Sequence, residues 1–206
     1  MSTKRKKPKL LVELIPSSCH FSNVRTTVSK KEWDKIRKIS YETANHKCEI
    51  CGDTGKNQGY RHNVECHEIW EYDDENKIQK LIGLISLCPT CHQVKHIGRA
   101  IAIGKGKQAY GQLAKVNKWT PTQIEKHILE SFELHKERSK YEWGLDLSIL
   151  TEEPYNIILK DDKTRIFEIK HYKKRRKKRK STNKNKTKKA VPKKKVNKRP
   201  PKKSNY

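Results

Sequence analysis

Four of the six cysteines occur as two pairs with the spacing of metal ligands. The pairs are Cys48-Glu49-Ile50-Cys51 and Cys88-Pro89-Thr90-Cys91, and 36 residues separate them. A C-x-x-C turn brings two thiolates to one side of the backbone, so two turns supply the four sulfur donors of a tetrahedral zinc ion. We therefore predict that Cys48, Cys51, Cys88 and Cys91 bind a structural Zn2+, because unrelated buried thiols would not account for the pairing.

A second motif overlaps the later cysteine pair, and two cysteines stand outside both pairs. Residues 88–92 also match the C-x-x-C-H sequence to which haem is attached covalently, a reaction that takes place outside the cytosol. The first apolar run, residues 10–15, is too short and too acidic for an export signal, so the sequence favours zinc over haem. Cys19 and Cys66 are the unpaired cysteines, and we expect Cys19 to be a small buried residue.

Three histidines form a candidate second site beside the cysteine pairs. His67 lies in the stretch Glu65-Cys66-His67-Glu68, while His92 and His96 follow the second cysteine pair, four residues apart. On a helix that begins near Cys88, this spacing puts both imidazoles on one face. A hairpin packed against that helix would bring the three side chains together, which predicts a metal or phosphate site. The alternative is three isolated packed or surface histidines.

Helix and strand patterns predict the elements that position these side chains. Ser29 and Glu32 have the spacing of a capping box, and apolar residues at helical spacing follow, which predicts a helix over residues 30–45. Apolar and β-branched residues on either side of the polar turn 73–76 predict a β-hairpin. Its strands are predicted at 63–72 and 77–87, further helices at 106–117 and from Pro121 to Ser139, and a last small hairpin at 157–159 and 165–169. The predicted fold class is α+β, a zinc-stapled hairpin plus helix flanked by helices.

Basic residues dominate the composition and are concentrated near the C-terminus. The 206 residues carry a formal net charge of +26, and residues 171–206 contain 19 lysines and arginines without a single acidic residue. Because this segment has few apolar residues, it cannot bury enough surface to offset its chain entropy. The predicted organisation is a basic arm and N-terminal extension (1–28), a folded domain with flanking helices (29–150), a small hairpin or linker (151–170) and a disordered tail (171–206).

The charge predicts a polyanionic partner, for which nucleic acid is the natural candidate. A strong positive field raises the local concentration of polyanions and accelerates encounter with them. The longest apolar runs, residues 10–15 and 81–87, fall short of the roughly 20 residues that a membrane-spanning helix needs, so no membrane association is expected. We expect an intracellular protein, located in the cytoplasm or, in a eukaryotic host, in the nucleus.

Taken together, the cysteine pairs, the hairpin and the histidines resemble the HNH endonucleases. That family combines a C-x-x-C, a strand ending in an acidic residue or histidine followed by histidine, a later Asn, and the sequence L-C-x-x-C-H. Residues 64–69 and 87–92 match most of this pattern. The stretches VECHEIWEYDD, LIGLISLCPTCHQVKHIG and EWGLDL are similar to HNH proteins of unassigned biology, so the resemblance covers about residues 10–150. It implies a ββα-metal, treble-clef-like fold and hydrolysis of phosphodiester bonds, with DNA as the expected substrate.

The resemblance also implies a role for each histidine. His67 would be the general base that takes a proton from the attacking water, work for which a neutral imidazole is suited at pH 7. His92 would hold a catalytic divalent ion, Mg2+, Mn2+ or another, and His96 would bind the ion or a phosphate. Contacts to nucleic acid are expected from Arg25, Lys95, Arg99, Lys173, Lys174, Arg175 and Arg176.

The sequence departs from the family pattern at two positions. Cys66 stands where the family usually places an acidic or histidine metal ligand, and a thiolate prefers softer ions than Mg2+. No asparagine occurs at residues 82–84, where the middle Asn is expected, and Asn76 lies too early. The acidic residues that could replace the missing ligand are Glu65, Glu68, Asp73 and Asp74, although Asp73 and Asp74 are more simply explained as turn residues. The alternative function is therefore a zinc-stabilised module that binds nucleic acid without cutting it. For Arg25 the alternative is a structural hydrogen-bonding role.

Deletion of residues 171–206 tests the expected function of the basic tail. We expect the dependence of log K on log salt to become shallower, because the tail cations release counterions from phosphates. Fluorescence anisotropy with one duplex oligonucleotide, measured over a salt series for the full and shortened proteins, gives the two slopes. An unchanged slope would mean that the tail has another function. Nuclear import through residues 173–180, which resemble an import signal, is one such function.

Overall fold

The computed structural model describes residues 10–159 of the chain. In chain order the elements of this range are α1 (Val24–Thr27), α2 (Lys30–Thr43), β1 (Glu65–Asp73), β2 (Ile78–Leu87), α3 (Pro89–Lys95), α4 (Ile97–Ala102), α5 (Gly106–Asn117), α6 (Pro121–Arg138) and β3 (Gly144–Asp146). The predicted α+β class is confirmed, as are the hairpin and the helices predicted around it. Residues 160–206 lie outside the described range, and with them the predicted tail and most of the predicted 151–170 linker.

The long helices begin where their capping residues predict. At the start of α2 the Ser29 hydroxyl accepts a hydrogen bond from the Glu32 amide at 3.2 Å, and the Glu32 carboxylate accepts one from the Ser29 amide at 2.7 Å. Thr120 and Gln123 form the same reciprocal pair at the start of α6. Each box satisfies amide groups that have no partner within the first turn of a helix.

The hairpin places its side chains on two faces. Strands β1 and β2 pair antiparallel with Glu65 opposite Leu87 and His67 opposite Ile85, and a bulge follows Ile69. Side chains alternate along a strand, so Glu65 and His67 share one face while Cys66 points to the other. Helix α3 contacts β1 and β2, and helix α2 also contacts both strands.

The hairpin turn is held by one aspartate. The Asp73 carboxylate accepts hydrogen bonds from the amides of Glu75 and Asn76 at 3.0 and 2.8 Å. Lys77 completes the turn in the left-handed region with φ of 57°. The interpretation of Asp73 as a turn residue, and not a metal ligand, agrees with these contacts.

Two features near the C-terminal end of the described range differ from the prediction. Strand β3 was not predicted, and it pairs parallel with β2 through the partners Ile78 and Gly144. Residues 157–159 form no strand, and the Ile157 amide donates instead to the carbonyl of Leu150 at 2.8 Å. Residues 165–169, the second half of the predicted hairpin, lie outside the described range.

Apolar side chains form two separate clusters in the described part of the chain. One unites the N-terminal segment with the cysteines and the C-terminal helices; its fully buried members include Leu10, Leu87, Val94, Ile97 and Leu113. The other joins helix α2 to the strands and the segment after β3; it includes Val24, Ile36, Leu81 and Leu150. Cys19 is buried as expected. Among the described helices, none has the length and apolar character needed to cross a bilayer.

The four paired cysteines converge where the hairpin meets α3. Their sulfur atoms all lie within 4.8 Å of one another, and Cys51 and Cys88 are 3.5 Å apart. Sulfurs bound to one tetrahedral zinc ion at about 2.3 Å are roughly 3.8 Å apart, so the observed spacing is close to that of a zinc site. The Gln112 side chain donates to the Cys91 sulfur at 3.0 Å, a contact suited to a thiolate. The donor set and spacing fit the predicted structural Zn2+.

The loop that carries the first cysteine pair is also attached to the end of β2. The Glu49 amide donates to the Ser86 carbonyl at 3.0 Å, and the Ser86 amide donates to the Glu49 carboxylate at 2.6 Å. On the other side, the Ser86 hydroxyl lies 2.8 Å from that of Ser40 in α2. These contacts join the loop, the hairpin and α2 beside the cysteine cluster.

Replacement of single cysteines tests whether metal holds this region together. Cys48→Ser and Cys91→Ser should each lose bound zinc and melt at a lower temperature, because the free energy of metal binding is part of the free energy of folding. Zinc content by elemental analysis and thermal melts by circular dichroism give the result. Cys19→Ser, which changes a buried cysteine outside the cluster, should keep its zinc. Metal-free Cys48→Ser or Cys91→Ser protein with the wild-type spectrum and melting temperature would contradict the zinc assignment.

Candidate metal centre

Three histidines from two elements meet beside the cysteine cluster. His67 comes from β1, His92 from α3, and His96 from the junction of α3 and α4. One ring nitrogen of each histidine lies within 4.8 Å of those of the other two. The ring centroids are separated by 5.2 Å for His67 and His92, 5.1 Å for His67 and His96, and 4.7 Å for His92 and His96. The predicted meeting of hairpin and helix histidines is confirmed.

His92 and His96 have the spacing of two ligands on one ion. Their Nε2 atoms are 3.1 Å apart, as the four-residue interval on one helical face allows. Two imidazoles bound at about 2.0–2.1 Å to a tetrahedral or octahedral ion have nitrogens roughly 3.0–3.4 Å apart. The donor chemistry and the distance therefore fit a divalent metal ion.

Two carboxylates form hydrogen bonds with ring nitrogens of this cluster. Glu65, on the same face of β1 as His67, accepts a hydrogen bond from Nδ1 of His92 and contacts Nε2 of His62 at 2.9 Å. Glu13, from the segment before the first helix, contacts Nε2 of His67 at 3.0 Å. A carboxylate bound to one ring nitrogen fixes the tautomer and leaves the lone pair on the other, as is common around metal-bound histidine.

Burial opposes protonation of His67 and His96 by lowering the pKa of both imidazoles. His67 is only 5 % exposed, and this burial lowers the pKa of its imidazole. Burial, together with the charges of His92 and His67, lowers the pKa of His96 to about 3. The hydrogen bond from His92 is the largest influence on Glu65 and lowers the pKa of its carboxyl. Neutral imidazoles beside ionised carboxylates are the protonation states that metal binding requires.

Cys66 does not reach the histidines. It lies on the face of β1 opposite His67, where it interacts with Ser40 of α2. Burial raises the pKa of its thiol to about 12, so the side chain stays protonated at neutral pH. The family position that usually supplies a metal ligand is therefore turned away from the cluster in this chain.

The expected phosphate-binding residues occupy different environments. Arg25 and Arg99 are exposed and line an open cleft of about 730 Å3, whose wall also includes Glu65 and His92. Lys95 is buried, and its ammonium group forms an ion pair with Glu13. A contact of Lys95 with nucleic acid stays a prediction. Residues Lys173, Lys174, Arg175 and Arg176 lie outside the described range.

The segment around Arg25 also has a structural role. The Asn23 side chain accepts a hydrogen bond from the Thr26 amide at 3.0 Å, capping α1. The Val24 amide donates to the Glu68 carboxylate of β1 at 2.9 Å. Burial raises the pKa of Glu68 to about 7. These contacts attach α1 to the hairpin while the Arg25 side chain remains exposed.

One site residue, Glu13, was not singled out by the sequence, whereas Glu65 was among the acidic residues named as replacement ligands. Glu65 was detectable, because strand alternation places it on the same face as His67. Glu13 had no local signal, since 54 residues separate it from its histidine partner.

The cysteine cluster, the hairpin histidine and the pair of helix histidines are the parts that the resemblance to HNH endonucleases predicted. All three stand together in the described part of the chain. The chain has no significant match among protein-family models, curated proteins or solved structures. The resemblance consequently rests on the motifs of this sequence and on the geometry of these two clusters.

Proposed function

We propose that the protein is a metal-dependent endonuclease of the HNH type that hydrolyses phosphodiester bonds in DNA. The observation that carries the proposal is the meeting of a hairpin histidine with two helix histidines next to an open cleft lined by arginines. Such a cleft suits a polyanionic backbone, because exposed guanidinium groups bind phosphate oxygens. The same residues would also serve a module that binds nucleic acid without cutting it.

In this proposal His92 and His96 hold a divalent ion, and Glu65 orients the ring of His92. The ion, when bound, would stabilise the negative charge that develops on the phosphate and on the leaving oxygen. Imidazole nitrogen suits Mn2+, Co2+, Ni2+ or Zn2+ better than Mg2+, which prefers oxygen ligands. The expectation of a softer ion therefore rests on the histidines and not on Cys66.

His67 has the properties of a general base for the attacking water. Its imidazole is neutral, because burial opposes protonation and lowers its pKa. One of its ring nitrogens lies within 4.8 Å of those of His92 and His96, so the proposed base is next to the proposed ion. Arg25 and Arg99, on the wall of the cleft, would bind the phosphates on either side of the target bond.

Substitution of His67 tests the proposed chemistry directly. His67→Ala should lower the cleavage rate by about 10²–10⁴-fold, the usual contribution of a general base, while zinc content and DNA affinity stay near wild-type values. His92→Ala should also abolish most cleavage, through loss of the catalytic ion. Plasmid nicking with Mn2+ measures the rates, and His20→Ala, an exposed histidine outside the cluster, is the matched control. Wild-type cleavage by His67→Ala would refute its role as base.

The choice of ion is an independent test of the cluster. We expect Mn2+, Co2+ or Ni2+ to support faster nicking than Mg2+, since the helix pair offers nitrogen and not oxygen donors. Rates measured with each ion, on zinc-loaded protein, give the order. Activity with Mg2+ alone would contradict the ligand assignment. If metal-loaded protein binds DNA but cuts no substrate with any of the four ions, the binding module is the correct function.

A further inference from the structure

A short segment before the first helix runs along the C-terminal helices and is attached to three of them. In this N-terminal strap, residues 10–13, Leu10 exchanges two hydrogen bonds with the Asn117 side chain of α5, at 3.1 and 2.6 Å. The Val12 amide donates to Nε2 of His127 in α6 at 3.0 Å, and the Glu13 amide donates to the Lys95 carbonyl of α3 at 3.2 Å. The backbone of Glu13 is thus fixed by its neighbours on both the strap and α3.

The Glu13 side chain also makes two contacts, one through each carboxylate oxygen. One carboxylate oxygen contacts Nε2 of His67 at 3.0 Å, and the other binds the ammonium group of Lys95. The side chains of His67 and Lys95 are 5 % and 8 % exposed, whereas the Glu13 side chain between them is 37 % exposed. Buried charged groups of this kind are retained in proteins when they are paired and hydrogen-bonded.

The contact defines the chemistry of the His67 ring. An ionised carboxylate can only accept a hydrogen bond, so the hydrogen of the neutral ring must lie on Nε2. The lone pair is then on Nδ1. Lys95 supplies the counter-charge for Glu13, so the carboxylate is neutralised without a proton on the imidazole. Both a proton acceptor and a metal ligand need one fixed lone pair, which this arrangement provides.

We propose that Glu13 is a positioning residue that orients His67 and holds its proton on Nε2 and its lone pair on Nδ1. The N-terminal strap is therefore part of the site, because its hydrogen bonds to α3, α5 and α6 position Glu13 beside His67. The consequence for catalysis rests on the proposed nuclease function. The tautomer of His67 does not, and it can be measured whether or not the protein cuts DNA.

The primary test is long-range 1H–15N correlation NMR of the full-length, zinc-loaded protein labelled with 15N at histidine. This spectrum distinguishes the protonated from the unprotonated ring nitrogen of each histidine, and the signals absent from His67→Ala identify His67. In the wild type we expect His67 as a single tautomer protonated at Nε2. In Glu13→Ala we expect the signals of both tautomers or exchange between them. In Glu13→Gln, whose amide oxygen still accepts from Nε2, the wild-type pattern should persist.

Glu130→Ala, which removes an exposed glutamate of α6, is the control and should give the wild-type spectrum. A wild-type His67 protonated at Nδ1 overturns the proposal even if Glu13→Ala fails to fold. An unchanged His67 spectrum in folded Glu13→Ala overturns it as well. Circular dichroism and zinc content identify which variants are folded.

The kinetics of the Glu13 variants give a second readout. A purely structural role of Glu13 would not lower kcat while leaving KM unchanged. Glu13→Ala should lower kcat by about 10–100-fold, the usual effect of removing a carboxylate that orients a functional histidine, with KM unchanged. Glu13→Gln should recover much of the loss. A rise in KM at constant kcat would contradict positioning. If the wild-type protein cuts no DNA, the nuclease proposal fails, and the NMR result still decides the role of Glu13.

Discussion

The convergence of four cysteine sulfurs is the constraint on which the rest of this structure depends. Cys88 and Cys91 lie at the end of β2 and in the first turn of α3, and the first pair lies in the loop after α2. Sulfurs this close can be tolerated as thiolates only around a cation, because like charges repel strongly where water is scarce. The cluster sets the direction in which α3 leaves the hairpin. His92 then lies within α3, and His96 lies at the junction with α4, one turn further on.

Charge at the histidine cluster is balanced locally. Burial opposes ionisation of Glu13, but its contacts to His67 and Lys95 outweigh that effect and lower the pKa of its carboxyl. Glu65 is held in the same way by its two histidine partners, of which His92 has the larger effect. Each carboxylate therefore has its own donor, and the imidazoles remain free to act as bases or ligands.

Much of the fold was predictable, because the relevant signals are local. The capping boxes at Ser29 and Thr120, the paired cysteines and the polar turn before Lys77 each determine structure within a few residues. Strand β3 escaped prediction, since three residues are too few to show alternation and their pairing depends on a distant strand. The orientation of Cys66 was available in principle, because neighbours on a strand must face opposite ways. The ion pair of Lys95 with Glu13 could not be predicted, since no sequence pattern joins residues so far apart in the chain.

The attachments of the N-terminal strap have a consequence for the order in which the site is completed during protein synthesis. The strap is made first, but its partners Asn117 and His127 lie 107 and 115 residues further along the chain. The hairpin, the cysteine cluster and all three histidines are translated before those partners are. A nascent or truncated chain that ends before α5 can therefore contain every cluster residue and still lack the helices that fix Glu13 against His67. Residues 10–13 can therefore be fixed in the site only after helices α5 and α6 have been translated.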